Sequence, residues 1–289
     1  MIKKHNGTIQ SSYWQKSLKE LLHNPGSVVG LILLSVITLL AICAPFVAQY
    51  HPDKIVVKDY LQAPSFTHWF GTDQFGRDVF ARVIYGGRIS LRIGIIAMII
   101  ALLIGVPMGL IAGYYGGLTD EVISRVVDLM LAFPGILLAL IVIALLGANL
   151  TTTMLAVGIS ASPGFARLTR GSTMQEKEKQ FVEAARQIGT GTLRIMFYHI
   201  LPNVMGLIVV LATLSVANAI ITGAALSFLG LGAQPPTPEW GLILSKGRDY
   251  IRYAWWITTF PGLAIMLSVL SINLIGDGLR DALDPRLTV

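Results

Sequence analysis

Charge is scarce in this chain, and so is cysteine. Only 13% of its 289 residues are Asp, Glu, Lys or Arg, about half the share of an average soluble domain, which is about 25%. Apolar residues reach 54%, above the usual range of about 45–50%. They are gathered into runs long enough to cross a bilayer, which takes roughly 20 residues of helix, so a water-soluble globule is excluded. Cys43 is the single cysteine, which rules out an intrachain disulfide and a cysteine-based zinc site. His5, His23, His51, His68 and His199 lie apart and form no H-E-x-x-H pair, so the usual helix-borne metal site is missing too. No G-x-S-x-G elbow is present; without a catalytic constellation an intramembrane enzyme has nothing to work with. The net charge of +6 does not point to nucleic acid, because the basic residues are dispersed between apolar blocks instead of sharing one face.

The first uncharged block covers 27–48 and follows Lys3, Lys4, Lys16 and Lys19. A secretory signal has a shorter apolar region of about 7–15 residues ending at a small-residue cleavage site. This block is longer and reaches Pro45 without one, and reads as a retained anchor. Further blocks cover 93–113, 129–147, 150–165, 203–229 and 257–276. The expected fold class is an all-α membrane protein with about six transmembrane helices. The fourth block is short and rich in Thr, Ser and Gly; parity argues for keeping it, since six spans return both ends to one side. Cytoplasmic loops carry excess Lys and Arg. With the N-terminus inside, the Lys-bearing tail and the segment holding Arg167, Arg170, Lys177, Lys179, Arg186 and Arg194 are both cytoplasmic. Lys54, Lys58, Arg77, Arg82 and Arg88 then face outside, among Asp53, Asp59, Asp73 and Asp78.

The expected division is a cytoplasmic segment 1–26, a first span 27–48, an extracytoplasmic loop 49–90, a five-helix core 91–276 containing a cytoplasmic loop 166–199, and a cytoplasmic tail 277–289. In the loop 49–90, Val79, Phe80, Val83 and Ile84 share a helical face beside Arg77, Asp78, Arg82 and Arg88, which predicts a helix lying at the membrane surface. Gly71, Thr72, Asp73 and Gly76 before it read as a turn and helix start rather than a ligand site.

Within the second span Gly105, Gly109 and Gly113 recur every fourth residue, a surface on which another helix approaches closely. Ser215, Ala219, Gly223 and Ser227 repeat the spacing in the fifth, with Asn218 and Thr222 on an adjacent stripe. Close packing is one reading of these residues; a translocation path bordered by Ser215, Asn218 and Thr222 is the other, since polar groups facing hydrocarbon need partners or water. An ion-coupled secondary transporter usually carries intramembrane Asp, Glu, Arg or His, and the apolar cores of these blocks have none. Nor is there a convincing internal repeat of the kind such transporters show. Pro107, Pro134, Pro163 and Pro261 predict bends.

From Arg167 to His199 the chain is polar and patterned. Glu183, Ala184 and Ala185 favour helix, Gly189 interrupts it, and Leu193, Met196 and Phe197 restart an apolar face before Leu201 and Pro202. Such a helix-turn-helix is suited to fit a groove on another protein and pass rigid-body motion to the spans. Glu183-Ala184-Ala185, then Gly189, then Leu201-Pro202 resembles the EAA loop of binding-protein-dependent ABC importer permeases. His199 stands two residues before the Leu, where that family commonly has an aliphatic side chain. The resemblance covers nearly the whole chain and narrows to the second permease subunit of dipeptide, oligopeptide, glutathione and nickel importers. It is carried also by His68-Trp69-Phe70-Gly71-Thr72-Asp73 with Gly76-Arg77-Asp78, by Ser227-Phe228-Leu229-Gly230-Leu231-Gly232, and by Gly276-Asp277-Gly278-Leu279-Arg280-Asp281 with Leu283-Asp284-Pro285.

The resemblance implies a type I ABC importer (MetI-like) permease fold in a bacterial inner membrane, multi-pass, with both termini cytoplasmic. It implies a second homologous permease, two ATP-binding-cassette ATPases that carry the ATP and magnesium, an extracytoplasmic solute-binding protein, and membrane lipid around the bundle, with no nucleic acid. Glu183, Ala184, Ala185, Gly189, Leu201 and Pro202 would form the ATPase-coupling loop. No cofactor, catalytic residue or metal is expected in the chain itself, which has no G-x-x-x-x-G-K-[ST] phosphate loop. The solute stays open among peptides, glutathione and nickel, and the different-class alternative is an ion-coupled secondary transporter.

Overall fold

The computed structural model describes residues 19–283. Lys3, Lys4 and Lys16, the segment before residue 19, and the Asp284-Pro285 end of the C-terminal motif lie outside the described residues. Among the described residues every regular element is helical, so the backbone satisfies its own hydrogen bonds, as the interior of a bilayer demands.

The first long helix, α1 (Pro25–Ile42), starts where Asn24 accepts from the Gly26 and Ser27 amides and Pro25 occupies the first turn. Its 18 residues carry no charge and are long and apolar enough to span. A loop segment follows, and then α2 (Val79–Tyr115), capped by the Asp78 carboxylate, which accepts from Ala81 N at 2.7 Å. α2 has 37 residues and is therefore about 55 Å long, well beyond a hydrocarbon core of about 30 Å.

This corrects the expectation of a separate surface helix at 79–84, which forms the first turns of α2. Gly86 and Gly87 do not break the helix because they are packing sites. A side chain at Gly86 would overlap the Pro238 carbonyl, and one at Gly87 would stand 3.2 Å from the Trp240 ring. The residues are glycine so that another part of the chain can touch the helix backbone.

The third block is also built differently from the expectation. α3 (Gly117–Leu131) and α4 (Gly135–Leu146) meet at 94° across a break next to Pro134. α4 has 12 residues, about 18 Å of helix, so it cannot cross alone. α5 (Leu150–Glu176) begins with an Asn149 cap and runs 27 residues through Pro163 without ending. Arg167 and Arg170 consequently lie on this helix, and the loop expected from residue 166 begins only after Glu176. α6 (Gln180–Gln187), helical turns Thr192–Arg194 and Ile195–Ile200, and α7 (Leu201–Phe228) follow. The Ile195–Ile200 turns are wound as π-helix. α8 (Trp240–Gly247) and α9 (Trp256–Leu283) complete the chain.

Four stretches, α1, α2, α7 with the turns before it, and α9, are long and apolar enough to span, and the bent α3–α4 pair makes a fifth. α5 is long enough but carries more polar residues; counting it, the chain has about six crossings.

α2 is the centre of the bundle, packed along α5 and also against α7 and α1, while α9 lies on α1 and α7. Two apolar clusters mark its ends. Val79 and Val83 join Trp240, Ile243, Trp256 and Ile257 at the α8 end. Leu110 joins Val182, Ala185, Ile195, Met196 and Ile200 at the α6 end.

Candidate functional site

The α6 end presents a small helix whose two faces have different neighbours. Val182 and Ala185, three apart, are buried in the cluster with Leu110 of α2. Glu183 and Ala184 point outward and are exposed. The helix ends because Gly189 adopts φ +78°, which lets the Gly189 amide donate to Arg186 O and the Thr190 amide to Ala185 O, both at 3.0 Å. Arg186 lies over the Tyr114 ring at 5.3 Å, a second tie to α2. Beyond the turn Ile195, Met196 and Ile200 are buried, whereas Ile188 (82% exposed), Leu193 (67%) and Tyr198 (76%) face away. The element is thus held to the bundle on one side and shows apolar side chains on the other. Leu201 is half-buried and Pro202 exposed at the first turn of α7. His199 is half-buried in the π-helical turn, and its carbonyl accepts from Asn203 Nδ2 at 2.5 Å.

Gly105, Gly109 and Gly113 all face α5. Side chains added there would overlap or crowd the backbone of Ser162, Ala166 and Arg170 in turn. Two ion pairs reinforce this part of the bundle. Arg170 makes a bidentate pair with Asp120 of α3, Nε to Oδ1 at 2.5 Å and Nη2 to Oδ2 at 2.6 Å, and Arg167 pairs with Asp128 at 2.7 Å. The helix that leads into the 180–200 element is therefore tied sideways to α3 as well as to α2.

On α7 the structure separates the three polar residues considered together above. Ser215 is buried and its hydroxyl donates to Ala212 O at 2.8 Å, on the side of Ala219 and Gly223, where a side chain would meet Ile93 of α2. It belongs to the packed face. Asn218 is exposed and Thr222 half-buried on the neighbouring face, with no hydrogen-bond partner among the described residues.

At the opposite end the chain builds a small polar domain. Asp73 accepts from the Phe75 and Arg77 amides and, through its other oxygen, from Arg77 Nε at 2.7 Å. His68 Nδ1 lies 2.9 Å from Asp78 Oδ1. Gly71 and Gly76 both sit near φ +70°. These residues make a loop that anchors the start of α2, consistent with their reading as a turn, and no group of His, Cys, Asp or Glu among the described residues has the arrangement of a metal site.

Sequence reasoning missed the residue that organises α8. Glu239 is fully buried, accepts from the Gly241 and Leu242 amides at 2.9 and 2.8 Å, and receives the Ser90 hydroxyl of α2 at 3.2 Å. Burial pushes its carboxyl above the usual carboxylate range, against the opposing pull of those hydrogen bonds. The available signal was an acidic residue followed at once by the apolar run from Trp240.

These features have counterparts in known proteins. A family model described as binding-protein-dependent transport system inner membrane component matches residues 105–289, and one for the N-terminal transmembrane domain of oligopeptide transport permease C matches 12–64. The chain belongs to this permease family. A dipeptide transport system permease of Alkalihalophilus pseudofirmus is 49% identical over 276 residues, 96% of this chain and 91% of the relative. A di/tripeptide permease of Pseudomonas aeruginosa is 46% identical, covering 95% and 91%. A glutathione permease of Escherichia coli is 44% identical, covering 95% and 90%. Among solved structures, an inward-facing MetNI methionine ABC transporter aligns with a TM-score of 0.57 at 20% identity, over 70% of this chain and 96% of that one; this likeness speaks to the fold alone. The permease is a multi-pass inner-membrane transport subunit, and its relatives are permeases rather than enzymes.

Proposed function

We propose that this permease forms half of the translocation pathway of an ATP-binding-cassette importer for di- or oligopeptides. In this reading a second homologous permease completes the pathway, two ATPases bind ATP and magnesium, and an extracytoplasmic solute-binding protein delivers the peptide. The α6 end is cytoplasmic, together with 1–26 and 277–289, and the segment between α1 and α2 is extracytoplasmic. Glu183, Ala184 and Gly189 form the surface that meets an ATPase, Ala185 belongs to the same loop and seats its helix on the bundle, and Leu201-Pro202 return the chain to the bundle.

The single observation that carries the reading is the division of the 180–200 element into a buried anchor, Val182, Ala185, Ile195 and Met196, and an exposed apolar side. Movement of the ATPase then pushes a body continuous with α2 and α5. Asn218 and Thr222 border the pathway on the partner-facing side of α7; Ser215 is left to packing.

ATP-dependent uptake by proteoliposomes holding the whole importer tests this directly, with labelled dipeptide, glutathione and nickel as separate substrates. Peptide uptake that requires ATP is expected. Uptake that runs on an ion gradient without ATP overturns the coupling role, and ATP-driven uptake of glutathione or nickel in place of peptide overturns the substrate alone.

A further inference from the structure

α1, α2, α7 and α9 do not close on one another completely. They leave a cleft of about 680 Å³ in the membrane-embedded part of the bundle, walled by apolar side chains such as Leu34 of α1, Ile95, Met98 and Leu102 of α2, and Val216 of α7. Its charged lining consists of two cations, Arg88 and Arg92, with no carboxylate. Arg88 is already engaged. Its Nε donates to Ala41 O at 2.6 Å and its Nη2 to Ile42 O at 2.5 Å, so it closes the end of α1.

Arg92 is different. It is exposed, it stands one turn further along α2, and it has no hydrogen-bond or ion-pair partner among the described residues. A guanidinium beside an apolar cleft demands an anionic acceptor or water. Arg92 precedes Tyr115, the last residue of α2, by 23 positions, about 35 Å along the helix. With Tyr115 at one membrane face, that distance sets Arg92 at the headgroup level of the other, given a hydrocarbon core of about 30 Å.

Arg92, Ile95, Met98 and Leu102 also follow one another at helical spacing, so they lie along one face of α2. The stripe reads as one cation followed by an apolar track running inward. Its shape and polarity complement a molecule with an anionic head and a hydrocarbon tail. A transmembrane helix in the same place would leave Arg92 to water alone unless it carried a carboxylate at that depth, and an aqueous vestibule would need polar walls. We propose that the cleft holds one phospholipid, its phosphate on Arg92 and an acyl chain along Ile95, Met98 and Leu102. Arginine suits phosphate because its planar fork donates two parallel hydrogen bonds.

The test uses the complete importer in native membranes, with a photoreactive benzoylphenylalanine at Met98 or at Leu103, which is 70% exposed on the same helix and absent from the cleft lining. Mass spectrometry after irradiation should show diacyl phospholipid on the Met98 probe at several times the Leu103 yield. Arg92→Gln should lower the Met98 yield about tenfold, as expected when a charge-assisted hydrogen bond is lost, and leave Leu103 unchanged, while Arg92→Lys should retain most of it. An adduct to another polypeptide overturns the proposal, as does equal lipid yield at the two positions or indifference to Arg92→Gln. If a probe at Met98 prevents assembly, phospholipid retained by the delipidated importer gives the same decision. Wild type should keep bound phospholipid that Arg92→Gln loses; equal retention overturns the assignment.

Discussion

Replacing Gly109 by alanine adds one methyl group in the middle of the α2–α5 seam. The new Cβ would overlap the Ala166 carbonyl and stand 2.8 Å from both Arg170 N and Thr169 Cβ. Two of these neighbours are backbone atoms of α5, so no side-chain rotation relieves the contact. Restoring a separation of about 3.5 Å from the Ala166 oxygen requires α2 and α5 to part by roughly 1 Å, and a gap of that size forfeits about half of the dispersion attraction of the atoms it separates. The steric cost is about 1–3 kcal/mol, the usual range for overpacking. Alanine also recovers about 1 kcal/mol of helix propensity, which masks part of that cost. Gly171→Ala removes the ambiguity, because Gly171 lies in α5 with nothing within 4 Å of its added Cβ. It gains the same propensity without the clash, so the difference between the two variants isolates the steric term. Equilibrium unfolding of the permease in bicelles should place Gly109→Ala about 1–3 kcal/mol below Gly171→Ala. Equal stabilities would refute the account of the seam.

At Gly189 the backbone is left-handed with open space around it, so Gly189→Val suffers conformational strain of about 1–2 kcal/mol or more, whereas Gly189→Asn tolerates φ > 0. Co-purification of the ATPases should fall for Val and persist for Asn, with membrane insertion normal in both; full retention by the Val variant removes the coupling role. Asn218→Trp or Thr222→Trp should slow peptide uptake and ATPase stimulation while Ala219 packing keeps the chain folded, and unchanged transport by both variants takes them off the pathway. Glu239→Ala deprives the Gly241 and Leu242 amides of their acceptor and should destabilise by about 1–3 kcal/mol in thermal unfolding. Because burial raises the Glu239 carboxyl, its folded form favours the proton. Its stabilising contribution is complete below the unfolded value of about 4.3 and is lost as pH rises through the folded one. Glu239→Gln should flatten that decline, and an identical pH slope in the two proteins contradicts the assignment.

The apolar blocks marked most crossings correctly because a span needs little more than length and hydrophobicity. Their boundaries were less visible wherever tertiary contact outweighs local preference. Gly86 and Gly87 are the place where Pro238 and Trp240 lie on α2, a long-range contact that no local pattern announces. Pro163 predicted a bend, and the helix continues through it to Glu176. Pro134, by contrast, does stand beside a break. The helix, glycine turn and second apolar face around Glu183 were readable because capping and periodicity are local properties. That Ser215 faces inward while Asn218 faces out could not be read from spacing alone, since both stripes are polar and only the position of α2 distinguishes them. Glu239 escaped notice because its value lies in Ser90, distant in sequence.

α2 belongs to both apolar end clusters, through Val79 and Val83 at one extremity and Leu110 at the other. It therefore has the geometry of a lever rather than of a wall. A tilt of 10° about one end would carry the other by about 10 Å over its length of about 55 Å. A displacement applied at the Leu110 end would reach the Trp240 region through one continuous helix, with no relay of small side-chain changes between them. Pro107, between the Gly105 and Gly109 contacts, is the place where such a lever would flex first.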